Sequence, residues 1–464
     1  MTESRKIDAK QDRTYILGSM PVSKAIWTLA IPTMVAMLIQ VVYNMTDTFF
    51  IGKLNNPNMV AAIALSMPIF MISQAFGNIF AIGGASFISR MLGKGDRERA
   101  SEAGSIAFWS ALGVSTLVSL IAFIFAEPIL IFCGASPNTL QFGKDYLIYM
   151  LLGSPFIGMQ MALSGLLRSE GATKVSMNGM VIGSILNIIL DPIFILGMDL
   201  GVAGAALATV IGNVFGFAYN VSFYVRKKGI ISISPKNFGF KKDIYAEIFK
   251  IGIPASVGMI LMSLGFGVSN AFAAGFGDNV VAANGVVMRV TNITVMLTMG
   301  LAQGCQPLLG FSYGAKNFKR LVDTIKNAIT IGTVMNVAFA IIFYIFADKW
   351  ISVFINDADV INLGARIIKS RAIVNPIIAT QMVLMTSFQA LGKSVQSLII
   401  SLGRQGLFFI PAIVIFSNVW GLDGFIYALP VADLLTTTLS VILFLFMRKS
   451  LHDTSSEMKE RVVA

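Results

Sequence analysis

Apolar residues in this chain gather into long runs separated by short polar turns. Several runs reach about 20 residues, enough for a helix rising 1.5 Å per residue to cross a hydrocarbon core. Twelve such helices are predicted, near 26–51, 60–89, 101–126, 145–168, 175–197 and 202–225, then 246–275, 281–312, 322–347, 362–391, 395–417 and 421–447. Several exceed the minimum and are expected to tilt or to extend beyond the bilayer. The pattern predicts an all-α polytopic membrane protein. It divides into an N-terminal segment (1–24), six helices (25–225), a basic linker (226–244), six more helices (245–447) and a tail (448–464).

The two sets of six are copies. Ile31-Pro32 opens the first and Ile253-Pro254 opens the second, 222 positions later. At offsets of 219 to 221, Ala61-Ala62 answers to Ala282-Ala283, Gly93 to Gly314, Arg99 to Arg320, Pro155 to Pro376 and Gln160 to Gln381. Gly171 then answers to Gly392, Pro192 to Pro411 and Gly204 to Gly424. Glycine and proline dominate the matches, and these residues constrain backbone geometry more than surface chemistry. Two related membrane halves are the usual build of a secondary transporter, with cargo handled at their interface.

Composition agrees with a membrane setting. Only 13% of residues are charged, against roughly 25% in soluble domains. The net charge of +11 is not spread evenly. Arg5, Lys6, Lys10, Arg13 and Lys24 precede the first helix. Arg90, Lys94, Arg97 and Arg99, the central stretch Arg226–Lys242, and Lys316, Lys319 and Arg320 crowd alternate loops. The turns near Met198, Asp278 and Val419 carry no such charge. This asymmetry places both termini in the cytoplasm, and an even helix number then makes the repeats parallel. Met1–Met20 is polar and does not read as a signal peptide. The basic linker reads as a topology-setting loop lying against lipid headgroups, not as a nucleic-acid site.

Most catalytic chemistry is excluded. With two cysteines (Cys133, Cys305) and one histidine (His452), neither a zinc site of Cys and His nor a disulfide framework is expected. Gly93-Lys94-Gly95-Asp96 is too short for a phosphate loop, and Gly265-Phe266-Gly267 reads as a packing surface. The chain is therefore not expected to be an enzyme or to carry a cofactor. What remains is a small set of ionisable groups inside apolar segments, each a functional candidate because a charge there costs at least ~2.5 kcal/mol. Asp47 stands in the first helix and Asp191 in the fifth. Asn187 lies four residues before Asp191 and shares its helix face. Pro192 leaves the carbonyl of Ile188 without its helical donor, and Thr209 of the sixth helix adds a hydroxyl. Such oxygens suit a hard cation or a shared proton. Spacing alone equally allows Asp191 to be a solvated helix end and Asp47 a structural cap.

At these residues the chain resembles the multidrug and toxic compound extrusion (MATE) family, and is similar to the bacterial exporters of its MepA-like branch. The resemblance rests on Val42–Thr48, Gly165–Gly171, Asn187–Ile195, Gly201–Ala206 and Pro307–Ala315, and covers about residues 15–450. It implies a V-shaped pair of six-helix lobes that alternate access to a central cavity in a prokaryotic plasma membrane. It implies export of cationic or amphipathic organic compounds in exchange for sodium ions or protons. The internal duplication supplies a complete transport path in one chain, so a monomer is expected to function. Carried over by position, Asp47, Asn187, Asp191 and Thr209 form the cation-coupling site, and Pro32 and Pro192 the bending points. No acid lies between Ile251 and Phe276 or between Ala372 and Leu391, which weighs against a coupling site in the second lobe. For the cavity wall, Phe156, Gln160, Met161, Met259, Met262, Met288 and Arg289 are candidates, since thioethers and rings suit adaptable recognition. Packing or lipid-facing roles are the plainer reading for most of them. Arg404 and Asp433 have no assigned role. A flippase or narrow-substrate exporter for an amphipathic lipid or metabolite is the alternative function.

Overall fold

Inside a bilayer no water is at hand for backbone N–H and C=O groups, so each apolar run must satisfy them within itself. In the computed structural model they do so as α-helices. The structure describes residues 3–54 and 56–463, with side chains for 10–54 and 56–449. His452, Arg5 and Lys6 lie outside the described side chains. The first half comprises α1 (Glu3–Gly18), α2 (Val22–Gly52), α3 (Pro57–Lys94), α4 (Arg97–Ile124), α5 (Ala126–Phe132), α6 (Pro137–Ser169), α7 (Thr173–Pro192) and α8 (Gly201–Val225). The second comprises α9 (Lys242–Gly275), α10 (Asp278–Gly314), α11 (Phe318–Ile345), α12 (Ala347–Ser352), α13 (Ala358–Ala390), α14 (Ser394–Leu402) and α15 (Ile410–Val463). π-helical turns at Ile193–Gly197 and Gly403–Phe409 follow α7 and α14. Among the described residues there is no strand.

Among the described residues, eleven helical stretches are long and apolar enough to cross a membrane. The last, Ser394–Lys449, is two crossings: Gly421 sits at φ 59°, ψ −132°, a conformation open only to glycine, and turns the chain between them. The duplication extends into details that the apolar pattern does not reveal. The short helices α5 and α12 begin 221 residues apart. The side chain of Asp96 accepts the Arg99 N–H at 3.0 Å to cap α4. Asn317, 221 positions later, does the same for the Arg320 N–H at 3.0 Å to cap α11.

The two lobes form a V that closes at the end carrying the basic loops. There α3 and α10 cross with backbones in contact. A Cβ on Gly93 would stand 2.1 Å from the Phe311 carbonyl oxygen, and one on Gly314 would stand 2.0 Å from that of Arg90. These glycines are partners in the repeat, so the crossing is self-complementary about the pseudo-two-fold axis. Beside this crossing Arg90 forms an ion pair with Glu247 of α9 at 2.9 Å.

The first helix of each half exchanges lobes. Ala25, Ile26, Leu29 and Ala30 of α2 are buried with Leu301, Leu308, Ile325 and Phe388 of the second half. Further along, Ile51 of the same helix packs with Ile63, Tyr146 and Ile195 of the first half. The second half mirrors this: Ile244 and Ile248 of α9 pack with Phe80, Ile106 and Leu166, while Ala273 packs with Val287 and Phe425. Pro32 and Pro254 lie where these helices pass from one core to the other.

Candidate functional site

The polar centre of the first lobe is assembled by small residues. Gly183 of α7 and Gly212 of α8 face one another so closely that a Cβ on Gly183 would lie 2.7 Å from the Gly212 carbonyl oxygen. The reverse distance is 2.5 Å. One turn further along, this approach lets the Asn187 side-chain amide donate at 3.3 Å to both Asp191 Oδ1 and Thr209 Oγ1. All three residues are buried, and Asp191 is 0% exposed, so it is not a solvated helix end.

Asp47 approaches from α2, near enough for its charge to act on Asp191. Tyr43, one turn before Asp47, and Tyr146 of α6 lie within the field of both carboxylates. Three acceptor oxygens in this group are buried without a protein donor: Asp47 Oδ1, Asn187 Oδ1 and Asp191 Oδ2. Leaving a buried acceptor unpaired costs roughly 1–3 kcal/mol. Three such oxygens leave this group short of donors. Among the described residues no group of three or more His, Cys, Asp or Glu side chains comes together as a metal site. The donor chemistry is that of two carboxylates supplemented by amide and hydroxyl oxygens. Pro192 ends α7 directly after Asp191, and the π-helical turn that follows widens the helix beside the carboxylate.

The candidate cavity residues separate. In the first lobe Met161 lines a cleft of only about 10 Å³ with Phe70, Gln74 and Ser154. Phe156 is part-exposed and meets Phe217 edge to face at 5.8 Å. Gln160 accepts from Asn220 Nδ2 at 3.1 Å and is buried, which makes it a strut between α6 and α8. In the second lobe Met262 and Met288 line a cavity of about 100 Å³, whereas Met259 and the exposed Arg289 lie off its wall. Arg404 donates from Nε to Asp433 Oδ1 at 2.8 Å, which gives both a partner, and the pair lines the same cavity.

Two contributors escape the sequence reading. Tyr146 lies outside every motif and is found only by packing. Arg371 also lines the larger cavity, and it carries a legible signal. It falls within the apolar segment 362–391, where the rule that singles out Asp47 applies equally to a cation.

A family model described as MatE matches residues 32–193 and again 254–415, once in each half. The chain is 32% identical over 457 residues to the multidrug export protein MepA of Staphylococcus aureus (strain MSSA476), covering 97% of this chain and 100% of that protein. It is 31% identical over 456 residues to the corresponding protein of Staphylococcus saprophyticus, again covering 97% and 100%. Among solved structures, a MATE protein in complex with MaL6 superposes with a TM-score of 0.91 at 25% identity, covering 95% of this chain and 99% of that one. The outward-facing conformation of a multidrug resistance MATE family transporter of the MOP superfamily gives 0.89 at 25% identity, covering 94% and 98%.

Proposed function

Since the chain belongs to the MATE family, we propose that it is a secondary active exporter exchanging cationic or amphipathic organic compounds for sodium ions or protons. The observation that carries this reading is the set of unpartnered buried oxygens of Asp47, Asn187 and Asp191 around one polar centre. An ion entering there neutralises mutual repulsion between two carboxylates and fills acceptors that the protein leaves open.

The helix that carries Asp47 also carries the seam between the lobes. Around Ile51, α2 belongs to the first lobe's core; from Ala25 to Ala30 it is packed into the second lobe's core, and Pro32 lies between. Pro32 has no N–H to give to the carbonyl of Thr28, so the helix is weakest in bending at the crossover. Ion binding at Asp47 that alters the path of α2 therefore changes how the lobes meet. Pro192 has the corresponding position beside Asp191. We place the basic-loop end in the cytoplasm by the positive-inside rule, which makes the closed end of the V cytoplasmic and the open end external. That is the arrangement from which cargo leaves and the coupling ion enters. A single chain holds both lobes and the site, so the monomer suffices.

The test uses purified protein in liposomes loaded with a fluorescent cationic dye. A sodium gradient is imposed at clamped pH and voltage, then a proton gradient without sodium. Dye movement under one of them, absent in Asp191→Asn, is the expected result and identifies the coupling ion. Inert liposomes under both gradients, with folded protein, would favour the flippase or narrow-substrate exporter instead.

A further inference from the structure

The cavity of the second lobe has the opposite polarity to the coupling site of the first. Its volume is about 100 Å³, and its wall is drawn from α9, α10, α11, α13, the π-helical turn Gly403–Phe409 and α15. Three charged side chains line it: Arg371, Arg404 and Asp433. Asp433 is buried and committed to Arg404 at 2.8 Å. Its charge also reaches Arg371, but from beyond ion-pair distance. Arg371 donates from Nη2 to the neutral Oδ1 of Asn284 at 2.9 Å, and its Nε is buried with no acceptor. Asn284 is held for this task, since its own amide donates to Ser269 Oγ at 3.4 Å and Asn270 Oδ1 at 3.2 Å. The guanidinium is thus oriented from behind by an amide, and no carboxylate on the wall lies within ion-pair distance of it.

A cation removed from water without a counter-ion carries a desolvation penalty that only a nearby anion offsets. A guanidinium with a donor still open matches a carboxylate better than most other groups do. The rest of the wall is uncharged: Met262, Met288, Phe266, Phe343 and Phe409 give it a soft apolar face, beside neutral polar side chains such as Asn292 and Gln405. We propose that this cavity is an anion-recognising subsite that takes the carboxylate of an aromatic, amphipathic organic acid or zwitterion. The carboxylate sits on Arg371 and the apolar body lies against the Met and Phe side chains. The exporter's cargo then includes carboxylate-bearing compounds as well as cations. This deepens the export reading and rests on it for transport; binding itself does not.

Equilibrium binding of radiolabelled 2-naphthoate to the full-length protein in nanodiscs, with no gradient, tests it. The methyl ester of the same acid and tetraphenylphosphonium serve as comparisons. Naphthoate is expected to bind at least ~10-fold more tightly than its ester, the discrimination that 1.4 kcal/mol gives. Arg371→Gln should remove that preference while leaving ester and tetraphenylphosphonium binding within about twofold. Asn284→Asp keeps Arg371 and supplies it with an internal carboxylate, so it should abolish naphthoate binding even if Arg371→Gln does not fold. Equal affinity for acid and ester, or undiminished naphthoate binding in Asn284→Asp, would overturn the proposal. Asp191→Asn should leave naphthoate binding intact, so loss of coupled transport and loss of the subsite read out separately.

Discussion

Asn187 is the residue on which the polar centre turns, because one amide nitrogen ties Asp191 to Thr209. Asn187→Ala removes that tie and one acceptor oxygen, leaving Asp191 Oδ1 without its donor. We expect the coupling ion to bind ~10- to 100-fold more weakly, the usual consequence of losing a group that orients an ion's ligands. Ion-dependent tryptophan fluorescence or calorimetry on the variant checks this, and an unchanged affinity would remove Asn187 from the site. Asp47→Asn should abolish gradient-driven dye movement while membrane insertion and the unfolding transition persist. The candidate site was legible in the sequence to the extent that its members are ionisable or sit a helical turn apart: Asp47, Asn187 and Asp191. Tyr146 was not, because an aromatic in an apolar helix is the commonest of neighbours and only three-dimensional packing distinguishes it. Gln160 shows the opposite failure. A polar side chain in an apolar helix read as cavity wall turns out to bridge Asn220.

At the scale of elements, apolar run length was enough to find every crossing, since nothing but a helix satisfies its own backbone in lipid. It could not find α1, whose sequence is polar. Nor could it separate α5 and α12 from neighbouring spans, because helices of 7 and 6 residues leave no periodicity to read. The lobe exchange of α2 and α9 was hidden for a different reason: the boundary 25–225 follows the repeat in sequence, while the cores follow contact. Pro32 marks the crossover, and its substitution separates stability from transport. Proline in a helix interior costs about 3 kcal/mol relative to alanine. Pro32→Ala is therefore expected to raise the unfolding midpoint of the purified protein while lowering the rate of ion-driven export. A variant with raised midpoint and full transport rate would show that bending at this position is dispensable.

For the whole molecule the decisive feature is how the closed end of the V is held. Arg320 clasps the end of α1 through three carbonyls, those of Ile16 at 3.2 Å, Met20 at 2.7 Å and Leu17 at 3.2 Å. Arg13 on the same helix reaches the first half, pairing with Glu170 at 3.6 Å and donating to the Lys228 carbonyl. So α1 is a strap across both lobes, laid over the glycine crossing of α3 and α10. The strap is polar and rotatable; the crossing is backbone against backbone and has no slack. Closure should therefore depend more on the crossing. Gly314→Val places a branched side chain where even a Cβ would stand 2.0 Å from the Arg90 carbonyl oxygen, so the helices must part. With spin labels on the exposed Arg97 and Lys319 positions, we expect the distance distribution in Gly314→Val to move to longer values. In Arg320→Ala, amide exchange across residues 16–20 should quicken while the distance between the labels holds. Parting in Arg320→Ala but not in Gly314→Val would reverse the assignment and make the strap the lock. The expected order follows from the physics of the two contacts: each guanidinium hydrogen bond is worth roughly 1.5–3 kcal/mol and water can replace it, whereas overlap of backbone atoms has no substitute.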